Sequence, residues 1–148
     1  MTTHTCRIIC YNQNGGLRQG VGEVMVVKGI GVDVVDVARF KEALAKAPGL
    51  VGRLFVDGER GLGAESLAAR FAAKEAVLKA LSAAGGLSAT SDWRWRDVIV
   101  HKAESGAPYL EVTSQVAQWA AASGITRWHL SLTHDGGMAL AFVVAEAK

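Results

Sequence analysis

Residues 66–82, SLAARFAAKEAVLKALS, are rich in good helix formers and contain no proline or glycine. At about 100° per residue, Leu67, Phe71, Leu78 and Leu81 fall on one helical face. Ala69, Ala72, Ala73, Ala76 and Ala80 dominate the opposite face. A surface helix would carry its charges there. Here they crowd the apolar stripe: Lys74 points into its middle, Arg70 and Glu75 lie near its edges, and Lys79 lies just beyond Glu75. Alanines let another backbone come close, so the helix is expected to be packed on most sides. Charges on such a helix must be paired or must serve a ligand.

Two readings of those charges compete. Glu75 and Lys79 are four apart in the favourable order, and Arg70 and Lys74 are also four apart. A structural ion-pair network with stems snorkelling to water would account for them. A functional site would account for them equally well.

The chain of 148 residues, half of them hydrophobic and a fifth charged, suits one compact domain with a real core. No apolar run approaches the roughly 18 residues of a membrane helix. MTTHTCRIICYNQNGGLRQG lacks the apolar block of a secretory signal, so a cytoplasmic protein is expected. The net charge of +2 argues against a nucleic-acid binder but leaves room for a local basic pocket. His4, Cys6 and Cys10 have no second ligand pair at zinc-site spacing and read as incidental. Residues 1–24 are polar and weakly patterned, and are expected to form an extension before a domain spanning 25–148.

Met25 opens a β-run, MVVKGIGVDVV. Asp36 then caps a helix marked by Val37, Phe40 and Leu44 and ended by Pro48 and Gly49. LVGRLF reads as a short helix and VDGERGLGAE as a loop leading into the charged helix. After the loop AAGGLSATSD, WRDVIVHKA and PYLEV flank ESGA as a hairpin. TSQVAQWAAASG is a helix with a Thr or Ser cap, and RWHLSLT and MALAFVVAEA are strands joined by HDGG. The order β-α-α-β-β-α-β-β predicts an α+β fold.

In the first strand, Gly29, Gly31 and Asp33 share a face, and the glycines are expected to leave space beside the carboxylate. A strand-end aspartate exposed to water is the structural alternative. Asp33 and Glu75 among several cations suggest magnesium, which takes one or two carboxylates plus substrate phosphates. Arg and Lys would hold the remaining phosphate oxygens. The glycines of GIG and of AAGGLS, Gly85 among them, could admit a bulky ligand. No GxxxxGK[ST] loop occurs. His134 and Asp135, where a strand ends in a glycine-rich turn, could bind phosphate or shuttle a proton, or could be plain turn residues. His101 and His129 take a structural reading. Ser131, His134 and Asp135 do not make a hydrolase triad, since no GxSxG elbow is present.

GIGVDVVDVARF, LAARFAAKEAVLKALS, WRDVIVHKAESGAPYL and HLSLTHDGGMALAFVVAE, in this order, resemble the holo-acyl-carrier-protein synthase family of phosphopantetheinyl transferases. The resemblance covers nearly everything from Met25 to Lys148. It implies an antiparallel sheet with packed helices and a trimer with sites between neighbouring subunits. It also implies a reaction in which a serine of an apo carrier protein attacks the β-phosphate of coenzyme A. The serine receives 4'-phosphopantetheine and adenosine 3',5'-bisphosphate leaves. By motif, Asp33 and Glu75 match magnesium ligands. Arg70 and His134 match groups near the 3'-phosphate, Lys79 matches a lysine directed at the diphosphate, and Gly85 falls among the coenzyme-binding positions. Arg39, and with it Arg53, matches a surface facing an acidic carrier protein, free or part of a fatty acid or polyketide synthase. Lys41 and Lys46 add to that basic cluster. Glu75, His134, Asp135 or a metal-held water could take the serine proton.

The chain departs from the family in residues 1–24 and in FVDGERGLGAE, which is short. Glu59 there matches an acidic position without an assigned role. The rival reading from another class is a trimeric module that binds coenzyme A or a nucleotide without turnover. A different magnesium-dependent phosphotransferase is a third. Lys74 has no place in any of these roles.

Overall fold

The computed structural model describes residues 24–88 and 90–148. His4, Cys6, Cys10 and the expected extension, Val24 apart, lie outside the described residues. Strand β1 (Val26–Asp36) leads into helices α1 (Val37–Lys46), α2 (Leu50–Leu54), α3 (Asp57–Arg60) and α4 (Ala64–Ala83). A single 3₁₀ turn (Trp95–Asp97) precedes the hairpin β2 (Val98–Lys102) and β3 (Pro108–Val112). Helix α5 (Ser114–Ala122) and strands β4 (Arg127–Asp135) and β5 (Met138–Ala147) complete the chain. The α+β class and the order of the larger elements follow the sequence reading.

Local chemistry sets the boundaries. Asp36 starts α1 by accepting the Arg39 N–H at Oδ1, 3.0 Å away. At the end of α4, Gly86 N–H bonds the Leu81 carbonyl and Gly85 N–H bonds that of Ser82, with Gly85 at φ +78°. This paired closure needs a residue at positive φ, which glycine supplies at little cost. Gly136 and Gly137, at φ +56° and +79°, turn β4 into β5.

Four expectations need correction. VDGERG is not all loop, because Asp57–Arg60 makes a helical turn around Glu59. Strand β2 begins only at Val98, after the 3₁₀ turn. His134 and Asp135 belong to strand β4 and pair with Ala139 and Met138, which leaves the turn to the two glycines. Neither Thr113 nor Ser114 caps α5 by its side chain; Asp97 does so from the 3₁₀ turn, its Oδ2 accepting the Gln115 N–H at 3.1 Å.

The main sheet runs β1-β5-β4, antiparallel throughout. Its register places Gly29, Gly31, Asp33 and Val35 of β1 beside Ala145, Val143, Ala141 and Ala139 of β5. His134 of β4 is opposite Ala139. Residues paired this way share a face, so Asp33 and His134 both belong to the side covered by α4. Ala76 and Ala80 of α4 lie directly on β1: a Cβ at Gly31 or Gly29 would collide with their carbonyls. The two glycines therefore admit a helix, not a ligand, contrary to the open space expected beside Asp33. The alanine face of α4 meets its expectation of close backbone packing.

At the other end of the core, the Phe40 and Phe71 rings stack at 5.3 Å, Phe55 meets Phe40 edge-on, and Trp95 tilts against Phe71 at 5.3 Å. Each fully buried large apolar side chain of this kind contributes about 1.5–3 kcal/mol. Together they tie α1, α4 and the 3₁₀ turn. The far face of the sheet is different. Ile30, Val32 and Val34 are between 46% and 53% exposed, and Phe142 and Met138 stand exposed beside them. Among the described residues, nothing covers this apolar face.

Candidate active site

The glycine–alanine contact brings α4 against β1 just where both carry charge. Asp33 follows Gly31 by two residues, and Glu75 and Lys79 flank Ala76 and Ala80. Lys79 Nζ donates to Asp33 Oδ1 and to the Val32 carbonyl, both at 2.9 Å. Lys79 thus reaches across to the strand and does not form the i,i+4 pair with Glu75 that spacing suggests. Glu75 makes no hydrogen bond or ion pair among the described residues. Burial, and then the charge of Asp33, raises the Glu75 pKa above its ordinary value, while Lys79 opposes the rise. Asp33, Glu75 and Lys79 are one electrostatic group.

One carboxylate with a single partner, Asp33, and one with none, Glu75, repel one another and form a place suited to a cation. Among the described residues, no cluster of three His, Cys, Asp or Glu side chains is present. Asp33 and Glu75 would offer a metal two hard oxygen ligands, with the remaining positions left to water or substrate. That fits magnesium, which keeps several waters and needs few carboxylates, and does not fit a closed structural metal site.

Arg70, one turn earlier on α4, is half-buried, and its Nε is sealed from water without a hydrogen-bond partner. Burial lowers its pKa, and the Glu59 carboxylate partly offsets that. A buried guanidinium N–H lacking an acceptor is costly and suits an anion. His134 is exposed at the end of β4, with Nδ1 3.8 Å from Glu65 Oε2. Glu65, Asp135 and His134 line a cleft of about 200 Å³ with the hairpin glycines. His134 is therefore grouped with Glu65 in this cleft, whose lining does not include Asp33 or Lys79. Gly85 closes α4, exposed and with open space where a Cβ would be.

Lys74 turns out to have a partner that the sequence reading did not give it. Its ammonium is fully buried and donates to Glu59 Oε2 at 3.0 Å, to the Trp95 carbonyl at 3.2 Å and to the Val98 carbonyl. Glu59 is equally enclosed and accepts the N–H groups of Val56 and Val100, each at 3.2 Å. Burial pushes the Lys74 pKa down and Glu59 pulls it back up. The only signal for this was the family's acidic position at Glu59; no fixed spacing links residues fifteen apart on separate helices.

Arg39, Lys41, Lys46 and Arg53 are all exposed on or after α1, as expected of a basic surface. Lys46 approaches Glu42 only at 4.0 Å.

Residues 29–143 match the 4'-phosphopantetheinyl transferase superfamily. The chain is 56% identical over 121 residues to the holo-[acyl-carrier-protein] synthase of Clavibacter michiganensis, an alignment covering 82% of this chain and 97% of that protein. Among solved structures, the "Chronobacterium ammoniagenes ACPS-CoA complex" superimposes with a TM-score of 0.73 at 29% identity, covering 85% of this chain and 99% of that one. The acyl carrier protein synthase of Mycobacterium tuberculosis gives 0.67 at 35% identity over 83% of this chain and all of that one. With its alanine-faced helix seated on the glycines of the first strand, this chain belongs to the holo-[acyl-carrier-protein] synthases of the 4'-phosphopantetheinyl transferase superfamily.

Proposed function

We propose that this protein transfers 4'-phosphopantetheine from coenzyme A to a serine of an apo acyl carrier protein or carrier domain. The serine Oγ bonds to the β-phosphorus, the bond from that phosphorus to the oxygen it shares with the α-phosphate breaks, and adenosine 3',5'-bisphosphate departs. The observation that carries this reading is the Asp33–Glu75–Lys79 group on a helix and strand locked together by their backbones. It sits in a chain whose relatives are holo-[acyl-carrier-protein] synthases.

Each side chain has work that its position suits. Asp33 and Glu75 would hold magnesium, which when bound neutralises charge on the diphosphate and polarises its oxygens. Lys79, already poised over Asp33, supplies a mobile ammonium for a diphosphate oxygen. Arg70 directs its unpartnered Nε–H at a phosphate. His134 adds a second group for the 3'-phosphate, contributed across a subunit boundary in a trimer, and Gly85 leaves room beside the coenzyme. The serine proton passes to Glu75, His134 or Asp135, or to water in the site. Arg39 and Arg53 meet the carrier protein. The expected setting of this reaction is the cytoplasm. Among the described residues no helix is long and apolar enough to cross a membrane.

The test mixes the protein with coenzyme A, magnesium and an apo acyl carrier protein and reads the carrier's mass. Gain of one phosphopantetheine is expected, and Asp33→Asn or Glu75→Gln should slow it by about 100-fold or more. Binding of coenzyme A with no mass gain on any carrier would favour the non-catalytic module instead.

A further inference from the structure

Lys74 is 0% exposed, and its three contacts match the three protons of an ammonium: Glu59 Oε2, the Trp95 carbonyl and the Val98 carbonyl. These acceptors belong to α3, the 3₁₀ turn and β2. The ammonium also stands 5.2 Å over the Phe55 ring. Glu59, 2% exposed, is as fully engaged, with Oε2 on the Val56 N–H and Oε1 on the Val100 N–H. Buried this deeply, neither side chain can touch a substrate.

Stability is a weak reason for such a pair, since apolar residues of similar volume often serve as well. Direction is what it adds, because hydrogen bonds fix angles and apolar burial does not. The rest of α4 shows what that direction sets. Counting about 100° per residue from Lys74, Ala76 and Ala80 fall roughly 200° and 240° around the helix. That side is seated on Gly31 and Gly29. Glu75 and Lys79, roughly 100° and 140° around, project from the arc between the two holds. Arg70 lies on the other flank of Lys74, and its charge acts on both Glu59 and Lys74.

Main-chain contact with β1 sets how near α4 comes to the strand, and Lys74 on the opposite side stops it rolling there. A roll of about 10° would carry a carboxylate some 6 Å from the helix axis through about 1 Å. A shift of that size is enough to cost an active site about 100-fold.

We infer that Lys74 and Glu59 are positioning residues for the transfer reaction: by fixing the roll of α4 they set the Glu75 carboxylate relative to Asp33 and Lys79. The inference rests on the reading of Asp33 and Glu75 as ligands for a divalent ion.

Glu59→Gln/Lys74→Met tests it, at a temperature where circular dichroism shows the variant folded. Two readouts are taken. One is the magnesium concentration that gives half-maximal transfer to an apo acyl carrier protein. The other is binding of Mn2+ in the presence of coenzyme A, followed without turnover by loss of the free-ion EPR signal. A smaller folded fraction lowers the rate and the number of sites but shifts neither midpoint. Both midpoints are expected to rise about tenfold, as when the support of a metal ligand is removed. Should the double variant fail to fold, Glu59→Asp keeps the ion pair but shortens it by one methylene, and both midpoints should rise by a smaller factor. Unchanged midpoints in a folded variant overturn the inference, leaving the pair a role in stability alone. If Glu75→Gln binds Mn2+ as the unaltered protein does, the ligand reading itself falls, and the positioning role with it.

Discussion

The Lys74 ammonium sits 3.0 Å from the Glu59 carboxylate with both side chains sealed from water, 0% and 3% exposed. Between them the two groups also hold the Trp95 and Val98 carbonyls and the N–H groups of Val56 and Val100, from the 3₁₀ turn, β2 and the start of α3. The pair fixes how α4 is rolled in its socket, and hence where the neighbouring Glu75 points.

Lys74→Met should therefore lower stability by about 3–5 kcal/mol, because Glu59 is left as an uncompensated buried charge. Adding Glu59→Gln should restore part of that loss, since an amide oxygen can still accept from Val56 or Val100. Urea unfolding of the two single variants and the double variant closes the cycle. Additive losses would mean that the two residues do not act as a pair.

Gly31→Ala places a methyl group against the Ala76 carbonyl, where backbone leaves no slack. Overpacking of this sort costs about 1–3 kcal/mol, sometimes more. A lower melting temperature is expected, with transfer activity falling by more than the folded fraction because the helix must move away from Asp33.

Glu75 carries a pH signature in metal-free buffer. Burial and Asp33 raise its folded pKa above the ordinary 4.5, so the folded state binds the proton more tightly than the unfolded chain. The stability it contributes is complete below the ordinary value and is lost as pH rises through the raised one. Glu75→Gln should thus melt higher than the unaltered protein near neutral pH, and the gap should close towards about pH 4. Parallel melting curves at all pH values would refute the assignment.

Ile30, Val32, Val34 and Phe142 form an exposed apolar face of the sheet, the kind of surface that supports the proposed trimer. Phe142→Glu should convert the assembly to monomers in sedimentation or light scattering. Transfer should fall with it if His134 serves a neighbouring copy. A monomeric unaltered protein would remove that part of the reading.

Deleting residues 1–24 should leave the turnover number and both KM values unchanged, because the proposed site residues all lie at or after Asp33. A loss of activity in a soluble, folded truncation would give that segment a role.

Much of this arrangement was readable from residue types and spacing alone. Period-two and period-3.6 patterns gave the long strands and α4, and Asp36 announced the start of α1. Carboxylates stranded among apolar residues marked Asp33 and Glu75. What escaped was contact between distant parts of the chain. Gly29 and Gly31 look the same in sequence whether they face a ligand or a helix. Lys74 and Glu59 meet only after α3 and α4 have packed. Lys79 chose a strand forty-six residues away over its own helical neighbour for the same reason.

The contact of Ala76 and Ala80 with Gly31 and Gly29 also divides the molecule's evolutionary freedom. The gap between the Asp33 and Glu75 carboxylates is gauged by two main chains that touch, with no side-chain spacer whose length could drift. Arg39, Lys41 and Arg53, on the exposed basic surface, are held by no such gauge. Changes to that surface can therefore leave the seat of α4 on β1 as it is.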